Sequence, residues 1–129
     1  GVLSDEMERL GGRHVGVLPR FMKGWEYAGL SELVWTDTMA DRKERMREGT
    51  AVAIALPGGI GTLDELIETH VLAKLGRYRG KILALNLDGF FEPFRDLLDH
   101  YVAAGMLSPE DSRLVVFAGT VEELAAYLV

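Results

Sequence analysis

Short unbroken apolar runs alternate along this chain with longer stretches in which apolar residues return every three or four positions. The first pattern marks strands buried between layers, and the second marks amphipathic helices. Leu3–Gly12 reads as the last turns of a helix with a Gly-Gly stop. His14–Leu18, closed by Pro19, predicts a buried strand. Arg20–Ser31 has no sustained period and carries Gly24 and Gly29, so it predicts a loop. Glu32–Thr36 predicts a second strand, after which Asp37 or Thr38 can cap a helix running to about Glu48 and stopped by Gly49. Ala51–Leu56 (AVAIAL) is apolar throughout and predicts a strand buried on both faces. Pro57–Gly61 is a glycine turn. Thr62–Leu75 follows as a helix with Leu63, Leu66, Ile67, Val71 and Leu75 on one side, ended by Gly76. Lys81–Leu87 predicts another buried strand, Phe91–Ala104 another amphipathic helix, Leu114–Phe117 a last strand, and Val121–Leu128 a closing helix capped by Thr120.

Strands that alternate with helices, and are apolar on both faces, imply a mainly parallel sheet with helices on each side. The expected fold is therefore α/β, a Rossmann-like doubly wound domain over residues 1–129. No repeat, linker or low-complexity tract interrupts it. Ligands in such folds lie beyond the carboxyl ends of the strands, which singles out the turns after Leu56 and after Leu87. The chain opens on Gly1 in the final turns of a helix, so a strand and loop are expected ahead of it.

Composition narrows the function classes. Among 129 residues, 48% are apolar and 26% charged, a globular balance, and the net charge is −6. That charge argues against a nucleic-acid backbone or an anionic membrane as partner. A bound phosphate must be held by local geometry and a few cations. There is no cysteine, so disulfides and thiolate metal sites are excluded. The longest apolar runs are far too short to cross a bilayer. No signal-peptide pattern opens the chain, and a cytoplasmic protein is expected.

Two stretches carry candidate chemistry. The first is Pro57-Gly58-Gly59-Ile60-Gly61-Thr62-Leu63-Asp64-Glu65, placed between a buried strand and a helix. Glycines there let backbone approach a ligand, and the helix N-terminus adds unpaired N–H donors that suit a phosphate. It is not a Walker loop, because no Gly-Lys-Ser/Thr follows. It is not the dinucleotide fingerprint either, because Asp64 stands where the third glycine belongs. Thr62 and Glu65 are also spaced as a capping box, a purely structural use of the same carboxylate. The second stretch is Met39-Ala40-Asp41-Arg42-Lys43. Arg42 could clamp a phosphate, but a mixed charge run through Glu48 equally describes a solvated helix face.

Taken together, the two stretches resemble the LOG ("Lonely Guy") family of cytokinin riboside 5′-monophosphate phosphoribohydrolases, many of whose members were once labelled lysine decarboxylases. The resemblance rests on Met39-x-x-Arg42-Lys43-x-x-Met46 followed by Pro57-Gly58-Gly59-x-Gly61-Thr62-x-x-Glu65. Gly16-Val17-Leu18-Pro19 with Glu26 downstream, and Asn86-x-Asp88-Gly89-Phe90-Phe91, extend it over roughly Gly12 to Leu107. It implies that Arg42 and Glu65 are the catalytic pair. Gly58, Gly59, Gly61 and Thr62 would hold the phosphate and ribose region, and Lys43 and Glu26 would be further substrate contacts. It also implies a homodimer with the pocket near the interface. Two points stand out: Ala40 occupies a position where many cytokinin-activating members have His, and the family's first strand and Gly-rich loop are expected ahead of Gly1.

The implied reaction is hydrolysis of the N-glycosidic bond of a nucleoside 5′-monophosphate, AMP or an N6-modified AMP, to free base and ribose 5-phosphate. No step of it requires a metal or an organic cofactor. Lysine decarboxylation would need a Schiff-base lysine within a pyridoxal phosphate site, and the motif region offers only Lys43. The alternative from a different class is a nucleotide or molybdenum-cofactor carrier, which would use the glycine turn without needing the Arg42 and Glu65 pair.

Overall fold

The computed structural model describes all residues, Gly1–Val129, in two compact units, Gly1–Glu48 and Gly49–Val129. Both are α/β with parallel strands, the arrangement of a Rossmann-like doubly wound fold.

The first unit begins with α1 (Val2–Arg9), followed by β1 (Val15–Pro19), β2 (Glu32–Thr36) and α2 (Met39–Arg47). β1 and β2 pair in parallel from Val15 opposite Glu32 to Pro19 opposite Thr36. Pro19 has no N–H to give a ladder and stands at the strand's end, where that loss costs least. Their connection, expected as a loop, contains one 3-10 turn at Arg20–Met22. The Tyr27 hydroxyl donates to the Asp5 carboxylate, tying this connection to α1. α2 is only nine residues long and buries no side chain fully. It is started by a reciprocal cap: Asp41 N–H donates to Thr38 Oγ1 at 3.0 Å, and Thr38 N–H donates to Asp41 Oδ2 at 3.2 Å.

The second unit runs β3 (Val52–Ala55), α3 (Ile60–Lys74), β4 (Lys81–Leu85), α4 (Glu92–Ala103), α5 (Pro109–Ser112), β5 (Val115–Ala118) and α6 (Val121–Ala126). Its sheet has the order β3-β4-β5, all parallel. The central strand, β4, explains why the unit holds together. Its residues alternate between two apolar layers, each covered by helices. Ile82 and Ala84 face Leu66 of α3 and Phe94 and Leu98 of α4. Leu83 and Leu85 face the other way, toward Ala118 and Leu124 of α6. Burying each large side chain in this way contributes about 1.5–3 kcal/mol.

Three expectations are corrected here. Ile54 in β3 is 42% exposed rather than buried on both faces. It shares the sheet face of Leu83, and the helix covering that face, α6, lies over β4 and β5. Secondly, α3 starts at Ile60, not Thr62, and its buried residues are Leu66, Thr69 and His70. Ile67, Val71 and Leu75, expected on the core side with Leu66, are exposed. The inward face therefore includes two polar groups that carry their own hydrogen bonds. Thirdly, the fourth strand stops at Leu85. Buried Asn86 turns the chain there, accepting from Phe91 N–H at 2.7 Å and donating to Glu92 Oε1 at 2.6 Å. The following Asp88 is held at φ +52°, the left-handed region. The single turn α5 had no periodic signal, although Ser108 followed by Pro109 is a helix-start pattern.

Candidate functional site

The glycine turn leaves the carboxyl end of β3 and becomes the first turn of α3, as the strand-helix pattern requires. Its three glycines have different physical roles. A Cβ on Gly58 would stand 2.5 Å from Thr62 Oγ1, so only glycine lets Thr62 fold back against the turn. Gly59 and Gly61 meet nothing within 4 Å of the same position, and their bare backbone borders open space. Gly59 is the helix N-cap and supplies no side-chain acceptor. The first N–H groups of α3 lie beyond the reach of intrahelical bonding, and the helix dipole adds partial positive charge there.

Because α3 begins at Ile60, Thr62 lies inside its first turn and Glu65 in its second. The capping box in which Thr62 would open the helix and Glu65 would answer it is not the helix start. Glu65 is half-buried, and its backbone carbonyl accepts from the Thr69 hydroxyl at 2.7 Å. Gly58, Gly59, Gly61, Thr62 and Glu65 thus lie on one continuous turn-helix segment of the second unit.

Arg42, Lys43 and Glu26 belong to the first unit. Arg42 is half-buried, and its Nε donates to the Val17 carbonyl of β1 at 2.8 Å. The solvated-face reading of Arg42 is therefore incorrect: this guanidinium fastens α2 to the strand it packs on. Lys43 is likewise half-buried on α2. Glu26 sits in the β1–β2 connection, where Oε2 accepts from Gly24 N–H at 2.5 Å and closes a tight loop. Asp41, which the sequence reading passed over, sets the start of α2 and with it the position of Arg42. Its three-residue spacing from Thr38 was the available signal. No group of three or more His, Asp or Glu side chains converges as a metal site. No helix is long and apolar enough to cross a membrane.

Comparison with known proteins points in one direction. A family profile described as "Possible lysine decarboxylase" matches residues 1–128. The cytokinin riboside 5′-monophosphate phosphoribohydrolase LOG of Oryza sativa subsp. japonica is 38% identical over 121 residues, covering 92% of this chain and 50% of that protein. The enzyme of the same name designated LOG7 in Arabidopsis thaliana is 38% identical over 131 residues, covering 99% of this chain and 60% of that protein. The chain thus spans about half to three-fifths of the length of these curated relatives. With the profile matching nearly end to end, the chain belongs to the lysine-decarboxylase-like family that includes the LOG proteins.

Proposed function

We propose that the protein hydrolyses the N-glycosidic bond of a nucleoside 5′-monophosphate, releasing free base and ribose 5-phosphate, with AMP or an N6-modified AMP as substrate. The observation that carries the proposal is the segment Gly58–Glu65. It joins an uncapped helix N-terminus, suited to an anion, to a half-buried carboxylate on the next turn. The names of the relatives, cytokinin riboside 5′-monophosphate phosphoribohydrolases, support the same chemistry.

In this reading the substrate phosphate docks on the N–H groups opening α3, with Gly59 and Gly61 allowing close approach and Thr62 supplying a hydroxyl. Phosphate binding anchors the ribose away from the reacting bond and so orients C1′ for attack. As the base departs, positive charge develops on the ribose as an oxocarbenium-like species. The Glu65 carboxylate stabilises that charge and takes a proton from the attacking water, whose oxygen bonds to C1′. The bond electrons leave with the base, which takes up a proton from solvent, and Glu65 returns to solvent the proton it took from water. The family resemblance makes Arg42 the second member of the catalytic pair, with Lys43 and Glu26 as further substrate contacts.

A homodimer is part of the proposal. Its support is the family resemblance together with Ile67, Val71 and Leu75, which are exposed along one side of α3. A cytoplasmic location goes with a charged nucleotide substrate that does not cross membranes unaided.

The test is incubation of the protein with AMP, an N6-prenylated AMP, GMP and CMP, following free base and ribose 5-phosphate. Release that is lost in Glu65→Gln and Arg42→Ala supports the hydrolase. Nucleotide bound stoichiometrically without release from any of the four would overturn it in favour of a carrier.

A further inference from the structure

The helix that bears Glu65 also carries a buried histidine that the proposed chemistry does not use. His70 is 7% exposed, and its Nε2 lies 2.7 Å from the backbone carbonyl of Asp111 in α5. A carbonyl oxygen can only accept, so Nε2 carries the proton and donates. The same carbonyl accepts from Leu114 N–H at 3.2 Å, which uses its second lone pair. One turn further along α3, Lys74 Nζ stands 3.9 Å from the carboxylate of the same Asp111. α3 is therefore fastened along one flank to a single residue of α5, and α5 is itself fixed by the Ser108 hydroxyl capping Asp111 N–H at 3.0 Å.

We propose that His70 is a positioning residue: its bond to the Asp111 carbonyl sets the roll of α3 about its axis and thereby the position of the Glu65 carboxylate. The inference rests on the reading of Glu65 as catalytic. Five residues separate Glu65 from His70, which at 3.6 residues per turn places their side chains about 140° apart around the helix. A fastening on one flank thus controls a group on nearly the opposite flank through a rigid cylinder. With a side-chain radius of about 5–6 Å, a roll of about 10° moves that flank by roughly 1 Å. Displacement of that size can cost about 10²-fold in rate. The apolar residues that share the buried face of α3, such as Leu66, resist separation from the sheet but are non-directional. The His70 bond is directional and so can select one roll angle.

The experiment compares wild type, His70→Leu and His70→Gln on one nucleotide, and measures amide hydrogen exchange along α3 in the same samples. Leu removes the donor at similar volume, whereas the Gln side-chain amide restores one. The expected result is a 10- to 100-fold fall in kcat at unchanged KM in His70→Leu, with faster exchange in α3 and substantial recovery of both in His70→Gln. A His70→Leu protein with wild-type kcat and exchange would overturn the proposal. So would a variant whose loss lies in KM, or one that Gln does not rescue. Exchange is read without turnover, so the two failures separate. An inactive wild type removes the hydrolase reading and the catalytic consequence of the roll, while unchanged exchange in His70→Leu removes the fastening itself.

Discussion

α2 and α3 carry the two residues proposed for catalysis, and they are held by opposite means. α2 is short and polar, buries no side chain fully, and depends on directional contacts in its N-terminal half: the Thr38–Asp41 cap and the Arg42 bond to Val17. α3 is fifteen residues long, has no side-chain cap, and depends on its buried face of Leu66, Thr69 and His70. In α2 the assigned catalytic side chain is itself one of the fastenings. In α3 the proposed catalytic side chain, Glu65, is half-buried and directly precedes the buried Leu66. The difference teaches that a loss of activity at Arg42 has to be read together with stability, because there the proposed chemistry and a fastening of α2 are carried by the same guanidinium.

Four measurements sharpen or break this contrast. The largest effect is expected at Glu65. Glu65→Gln should lower kcat by about 10²–10⁴-fold, while the urea midpoint stays near that of wild type. A variant that unfolds early would show that Glu65 is an anchor too, and the contrast would collapse. Next is Leu66→Ala, which empties part of the layer between α3 and β4. It should cost about 2–5 kcal/mol in denaturant unfolding, and a cost under 1 kcal/mol would show that α3 does not depend on that face. Arg42→Ala should lose activity and also about 1.5–3 kcal/mol, because a charged donor is removed from a part-buried carbonyl. Arg42→Lys should recover little of the stability, since an ammonium cannot reproduce the guanidinium Nε bond. If Arg42→Ala were as stable as wild type, the dual role would be refuted. The smallest effect is at Thr38. Thr38→Ala should cost about 1 kcal/mol through loss of the cap, accompanied by faster amide exchange in α2 alone.

The type and order of the main elements were legible because they rest on short-range periodicity. Glu32–Thr36 forms β2 with the expected ends, Thr120 caps the closing helix as expected, and of the two candidates Asp37 and Thr38 it is Thr38 that caps α2. The strand expected at His14–Leu18 appears one residue later, as Val15–Pro19. The glycine turn was legible as a site candidate because Gly58-Gly59-x-Gly61 falls between an apolar strand and a helix. Less legible was which side of a helix would face inward. Ile67, Val71 and Leu75 looked like core by hydropathy, yet the inward face takes Thr69 and His70, whose polar atoms have partners at Glu65 and Asp111.

By itself, then, the sequence determined the parallel α/β plan, the placing of the Gly58–Glu65 segment at a strand's carboxyl end, and the family. These depend on residue type and spacing within a few turns of chain. The tertiary structure alone decided that α3 starts at Ile60 rather than at Thr62, that Ile54 is left partly uncovered, and that Arg42 reaches Val17. It also decided that His70 bonds to Asp111. Each of those depends on which surfaces meet across distant parts of the chain: Arg42 and Val17 are 25 residues apart, and His70 and Asp111 are 41. A local hydrophobic period fixes which element forms. The angle at which it rolls onto its neighbours is set by packing and by the hydrogen-bond demands of buried polar groups, and only the folded chain satisfies both.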